Sequence, residues 1–92
     1  MRTIEYTRRF KRDYKRVSAG EHTDLDGLLL QTVTLLAQDE PLPKKYRDHP
    51  LAGEWKDYRD CHLRPDLILI YRKPDGETLQ LVRLGSHSDL GL

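Results

Sequence analysis

The sequence predicts an α+β fold: two N-terminal helices packed on one face of a small antiparallel sheet, ending in a short C-terminal tail. Three observations carry this. Apolar residues recur at helical spacing up to about residue 38, they alternate at strand spacing from Glu54 onward, and a proline-rich stretch separates the two regimes. The chain of 92 residues suits one domain, taken as residues 1–92, with a compact core fed by a few long apolar side chains.

Thr3–Tyr6 is a short β-prone segment, and Thr7 is placed to cap a helix running to about Val17. Tyr6, Phe10, Tyr14 and Val17 form one apolar stripe on it, with mostly basic residues between. Ser18–His22 reads as a linker. Thr23, with Asp26 three residues later, resembles a capping box opening a second helix to about Gln38. Leu25, Leu28, Leu29, Thr32, Val33 and Leu36 share one face of it, while Gly27 weakens its first turns by ~1 kcal/mol relative to Ala. The three prolines of Asp39–Pro50 exclude regular structure there. From Glu54 the alternation puts Trp55, Asp57, Arg59, Cys61 and Leu63 on one face and Lys56, Tyr58, Asp60 and His62 on the other. Asp66–Arg72 is the most apolar strand and should be central, leaving the sheet face away from the helices open. Pro74–Gly76 turns the chain, and Thr78–Leu84 returns as the hairpin partner. Gly85 breaks that strand, and Ser86–Leu90 reads as a tail of one helical turn capped by Ser86 or Ser88.

Charged residues at 34% and hydrophobic residues at 37% exclude a disordered tail and a membrane protein. The longest apolar runs, Leu28–Leu30 and Leu67–Tyr71, fall far short of the ~20 residues that span a bilayer. The single cysteine, Cys61, rules out an internal disulfide, and the N-terminus has no apolar leader, so a cytoplasmic location is expected. The net charge of +1 conceals segregation. Residues 1–16 carry seven Lys and Arg against Glu5 and Asp13, and residues 17–40 carry five acids and no Lys or Arg. That pattern suggests a face built for a polyanion, with Arg8, Arg9, Arg12 and Arg16 as its candidates; a merely solvated basic helix is the plainer reading.

Four histidines are candidates for chemistry. His22 sits in a polar stretch beside a helix start and is assigned no role. His49 lies in the proline-rich loop, His62 near the end of one strand, and His87 just past another, with Asp66 opening the strand between. Convergence of His49, His62, Asp66 and His87 at one rim of the sheet would supply acid–base groups suited to RNA, whose 2′-hydroxyl is a built-in nucleophile. Such chemistry needs no cofactor. Zinc is disfavoured because no H-x₃₋₅-H or C-x₂-C spacing occurs. A cysteine nucleophile is disfavoured because Cys61 alternates away from His62.

The stretch YRDHPLAGEWKDYRDCHLRPDLILIY (Tyr46–Tyr71), followed by VRLGSHSDL (Val82–Leu90), resembles the YafQ branch of the RelE/ParE toxin superfamily. The similarity covers nearly the whole chain and is weaker in residues 1–40. It implies a ribosome-dependent mRNA endonuclease, the toxin of a type II pair, which cuts mRNA in the ribosomal A site. The partners it implies are the 70S ribosome with its mRNA and ribosomal RNA, an antitoxin of the DinJ kind, and operator DNA reached only through the antitoxin complex. On the matching motif the functional positions fall on His49, His62, Asp66 and His87, with Arg83 where a phosphate-contacting arginine would sit. On those positions we expect His87 to be the general acid on a mobile tail, Asp66 with His62 to form the base side, and His49 to contact the scissile phosphate. Trp55 and Tyr58 read as packing residues. The chain departs from the family at its end, where Gly91 and Leu92 stand in place of a terminal aromatic. Two other readings remain at this stage: a non-enzymatic gyrase poison of the ParE kind, and an inactive nucleic-acid-binding module using only the basic helix.

Overall fold

The computed structural model describes residues 1–20, 22 and 24–92. Strand β1 (Thr3–Tyr6) leads into helix α1 (Arg8–Ser18) and helix α2 (Leu25–Ala37). A 3-10 turn at Lys44–Tyr46, strand β2 (His49–Pro50) and a second 3-10 turn at Gly53–Trp55 follow. Strands β3 (Arg59–Arg64), β4 (Leu67–Arg72) and β5 (Thr78–Gly85) then run as a meander, closed by a one-turn helix α3 (His87–Leu90). No helix among the described residues is long and apolar enough to cross a membrane.

The sheet order is β1-β5-β4-β3-β2, so β4 is central as its composition requires. The sheet is not wholly antiparallel: β1 pairs parallel with β5, in register Thr3 with Thr78. The two helices between β1 and the meander provide the crossover that a parallel pair needs. Phe10, Val17, Leu25, Leu29, Val33 and Leu36 from the helices bury against Cys61, Leu63, Leu67, Leu69, Leu79, Leu81 and Leu84 of the sheet. Thr7 caps α1 by accepting from the Phe10 amide, 3.0 Å away. The expected cap at Thr23 lies outside the described residues. Asp24 stands at the N-cap of α2 in a left-handed conformation, with no side-chain capping bond.

Several sequence expectations are corrected. The third strand begins at Arg59 rather than near Glu54, because a 3-10 turn and a left-handed Asp57 (φ 77°) intervene. Trp55 and Tyr58 therefore share a face instead of alternating, and their rings meet edge to face at 5.3 Å. With Leu51 they pack on Ile68, Ile70, Val82 and Leu90, so the sheet face away from the helices is partly covered. The proline-rich segment is not wholly irregular either, since it holds the Lys44–Tyr46 turn and β2. Gly85 ends β5 rather than breaking it, pairing with Ile68. A Cβ there would stand 3.0 Å from the Arg16 guanidinium and 3.1 Å from the Asp89 side chain, so a larger residue would require these side chains to shift by a few tenths of an ångström.

The most connected polar group in the fold is Asp13, on α1 and only 3% exposed. It accepts from Arg83 Nε at 2.7 Å, from Arg83 Nη2 at 3.1 Å, from the Leu84 amide at 3.1 Å and from Arg16 Nη1 at 3.1 Å. Burial pushes its carboxyl upward, but the Arg83 and Leu84 hydrogen bonds and the charges of Arg83 and Arg16 outweigh this, leaving it below the ordinary value of 3.8. Removing one member of a buried pair costs about 3–5 kcal/mol. Asp13→Ala should thus lower the thermal midpoint by on the order of 15 °C. Because the folded value is depressed, the contribution is complete above the ordinary carboxyl range and is lost as pH falls through the folded value. In an acid titration followed by circular dichroism, the Asp13→Ala penalty should shrink toward low pH; a penalty unchanged there would contradict the pairing.

Candidate functional site

The register of the sheet brings the histidines together. Cross-strand partners share a face, and one row runs His62–Ile68–Gly85 across β3, β4 and β5. Asp66 lies two residues before Ile68, and His87 lies two residues beyond Gly85. The next row begins with His49 opposite Asp60. Four residues distant in sequence thus meet at one rim, which holds His49, His62, Asp66 and His87.

His87 is the most tightly placed of the three. Its Nδ1 lies 2.6 Å from Asp66 Oδ1, and its backbone amide donates to the same oxygen at 2.9 Å. A carboxylate only accepts, so Nδ1 carries the proton and Nε2 is left for substrate. These hydrogen bonds, from the His87 amide first and its ring second, hold the Asp66 carboxyl below the usual carboxylate range. Asp66, which the sequence reading grouped with His62, is therefore hydrogen-bonded to His87. The tail is folded: Ser86 and Asp89 form a reciprocal capping box, Leu90 is buried, and Gly91 takes a left-handed conformation (φ 70°). Leu90 occupies the apolar cluster beside Ile68 and Val82, anchoring the terminus that lacks the family's aromatic.

His49 is oriented by its own loop. Arg47 is left-handed (φ 48°), which turns its carbonyl to accept from His49 Nδ1 at 2.7 Å. Asp48, between them, accepts from the Tyr71 hydroxyl at 2.6 Å and from Arg59 Nε at 3.2 Å, pinning the loop to β4 and β3. His49 Nδ1 also approaches Asp60 Oδ1 at 3.0 Å. Only the carbonyl contact meets hydrogen-bond geometry, and the buried Asp60 oxygen has no hydrogen bond among the described residues. His62 sits between the other two, its ring centroid 6.4 Å from that of His49 and 5.3 Å from that of His87, edge-on.

Asp60 is the residue that sequence reasoning missed, although its alternation with His62 was visible. It is 3% exposed, and burial raises its carboxyl pKa against the opposing pull of His49, His62 and His87. His62 is shifted the other way: burial lowers its pKa, Asp60 partly restores it, and His87, Arg47 and His49 lower it further. His22 is exposed and borders the cleft that holds Asp66, though no role was assigned to it. Cys61 is fully buried, which pushes its thiol far up and removes it as a nucleophile.

The arginines divide. Arg83 is committed to Asp13, and Arg16 reaches Asp13, the Leu84 carbonyl and Asp89. Both brace the fold in this structure. Arg8, Arg9 and Arg12 are exposed on α1, which packs against β5 with β4 between it and β3. A cavity of about 520 Å³ is an apolar groove lined by β1, α1 and α2 that holds none of the histidines.

Against known proteins, the chain matches the family model described as bacterial toxin of type II toxin-antitoxin system, YafQ, over residues 2–91. It is 42% identical over 89 residues to the mRNA interferase toxin YafQ of Escherichia coli strain K12, covering 97% of this chain and 95% of that one. Among solved structures it is similar to the E. coli DinJ–YafQ complex (TM-score 0.84, 42% identity, 98% of each chain). It is also similar to a metal-bound toxin from Helicobacter pylori (TM-score 0.88, 48% identity, 98% of this chain and 99% of that one). In the present chain no three His, Cys, Asp or Glu side chains among the described residues converge as metal ligands, with Nδ1 of both His49 and His87 already engaged. The residues as arranged do not fit a metal, and no chemistry is routed through one. Match length, identity and shared architecture agree that the chain belongs to the YafQ family of bacterial type II toxin–antitoxin toxins.

Proposed function

We propose that this chain is a ribosome-dependent, metal-independent mRNA endonuclease, held in check by an antitoxin of the DinJ kind. The observation that supports it best is the pair of histidines flanking His62 with Nδ1 engaged by fixed acceptors, His49 by Arg47 and His87 by Asp66, which leaves Nε2 as the available ring nitrogen of each. His62, with its lowered pKa, is unprotonated at neutral pH and serves as the base that takes the 2′-hydroxyl proton. The 2′-oxygen attacks the adjacent phosphorus and the bond to the 5′-oxygen breaks. His87 acts in its doubly protonated form: Nδ1–H stays on Asp66 while the Nε2 proton passes to that leaving oxygen. The products are a 2′,3′-cyclic phosphate and a 5′-hydroxyl. His49 positions the phosphate, and the nearby charge of Arg47 offsets the developing negative charge. Arg8, Arg9 and Arg12 on the exposed face of α1 suit ribosomal RNA. Operator DNA would be met only through the antitoxin complex.

Removing a positioned proton donor costs about 10²–10⁴-fold in rate. Induced wild type should arrest growth and create new mRNA ends within codons, while His87→Gln should remain folded and lose cleavage by that factor. Equal arrest by both proteins without new ends would instead support the gyrase-poison reading.

The pH dependence is a second test. Since His62 must be unprotonated, the acid limb of kcat/KM on programmed ribosomes should fall below the ordinary histidine value of ~6.5. Asp60→Asn removes a charge that raises the His62 pKa, so it should move that limb to still lower pH. A limb that moves upward, or not at all, would remove His62 from the base role.

A further inference from the structure

We propose that the open edge of β3 beside His62 is a subsite for the phosphodiester next to the one that is cut, with Lys45, Arg47 and Arg64 around its phosphate and the attached base against Pro65. The proposal rests on the nuclease reading and adds to it a place for the substrate strand.

The edge exists because β2 is two residues long. It pairs only with Arg59 and Asp60, so from His62 to Arg64 the outer edge of β3 has no strand beside it among the described residues. The Lys44–Tyr46 turn and Leu28 of α2 wall off the space, leaving a cavity of about 360 Å³. That volume is at the lower end of the ~300–1,000 Å³ range for ligand sites and suits one nucleotide. His62 is part of its wall, so an occupant there is continuous with the proposed scissile position.

Its chemistry is also selective. Lys45, Arg47 and Arg64 line it and no acid does, over a floor of Leu28, Leu63 and Pro65. Cationic rim over apolar floor is the combination that binds a sugar–phosphate and stacks a base. Two other cavities of similar size each carry acids: Asp66 and Asp89 in one, Asp39 and Glu77 in the other. Each mixes those acids with basic side chains, Arg16 and Arg64 in one and Arg2 in the other, so neither has a purely cationic lining. Lys45 Nζ lies 5.4 Å above the Tyr46 ring, which holds the ammonium at the rim. Arg47 is left-handed, a conformation costly for a non-glycine residue, and it both aims its carbonyl at His49 and places its side chain at this cavity.

The test is amide NMR of the ¹⁵N-labelled full chain titrated with a trinucleotide RNA made uncleavable by a 2′-deoxy substitution. Shifts should concentrate at Lys45, Arg47, His62 and Arg64. In the Lys45→Ala/Arg64→Ala protein, affinity should fall about tenfold, and the slope of log affinity on log salt should fall by about 1.4, the value for two single-strand phosphate contacts. On programmed ribosomes the same variant should lose kcat/KM with kcat largely retained, because the acid and base are intact. Shifts confined to α1, with affinity lost in Arg8→Ala/Arg9→Ala and kept in Lys45→Ala/Arg64→Ala, would overturn the subsite. Wild type that binds at this edge but cuts no mRNA would overturn the nuclease reading, and with it the assignment to a phosphodiester beside a cut, leaving only an RNA-binding edge.

Discussion

The fold turns on one buried carboxylate. Asp13 joins the middle of α1 to the end of β5, through both the side chain of Arg83 and the backbone of Leu84. Arg16, one helical turn later, extends the grip to the Leu84 carbonyl and to Asp89 of α3. Everything beyond Leu84, including the capping turn and His87, starts from this clamp. The arrangement answers a difficulty of short domains, which bury little apolar surface and must hold their ends by specific contacts. A charge desolvated this thoroughly is costly alone, and the three donors to it from Arg83 and Leu84, with a fourth from Arg16, are what make it tolerable.

Order at the site follows from strand ends and short loops, not from a rigid element dedicated to it. The His62–Ile68–Gly85 row supplies the alignment, holding His62 within it and Asp66 and His87 two residues outside it. Each imidazole then has a local support: Asp66 for His87, the Arg47 carbonyl for His49, and burial between them for His62. Asp60 lies beneath all three. Its negative charge favours protonated rings, whereas burial and mutual repulsion favour neutral ones, and for His62 the second influence wins. The cluster therefore sets a raised carboxyl, Asp60, beside a lowered imidazole, His62, the kind of divergence that acid–base chemistry draws on.

Local periodicity made the helices, the central β4 and the capped terminal turn readable, because Phe10, Leu29 and the Leu67–Tyr71 run report burial by their spacing alone. The parallel β1–β5 pair was not readable, since nothing in Thr3–Tyr6 says which edge it will join. The error at Glu54–Tyr58 had a definite source. Alternation assumes extended backbone, and the left-handed Asp57 reverses the parity that puts Trp55 opposite Tyr58. The histidines and Asp66 were visible as residue types near predicted strand ends, but their pairing depends on register, which a bulge between Ile70 and Tyr71 shifts. Asp60 was passed over because a strand carboxylate looks like surface until its burial is known. Arg83 and Arg16 were read as ligands for phosphate because sequence shows a charge and not its partner, and their partner Asp13 is a helix residue some 70 positions from Arg83.

That last point bears on how so nearly neutral a chain would meet a polyanion. With Arg83 and Arg16 held by carboxylates, the long-range field of the first helix comes from Arg8, Arg9, Lys11, Arg12 and Lys15, all exposed. Beyond the Debye length, about 8 Å at physiological salt, such charges are largely screened, so they can steer a large RNA surface toward the protein but cannot set the position of a single phosphate. Positioning must come from cations within contact distance of the histidines. Arg47 is close enough to bear on His62, and the Lys45–Arg47 turn is pinned through Asp48 to Tyr71 and Arg59. On the proposed reading, steering and positioning would thus fall to two different basic segments on opposite sides of the central strand, each built from residues that α1 and the Pro43–Pro50 loop leave outside the core.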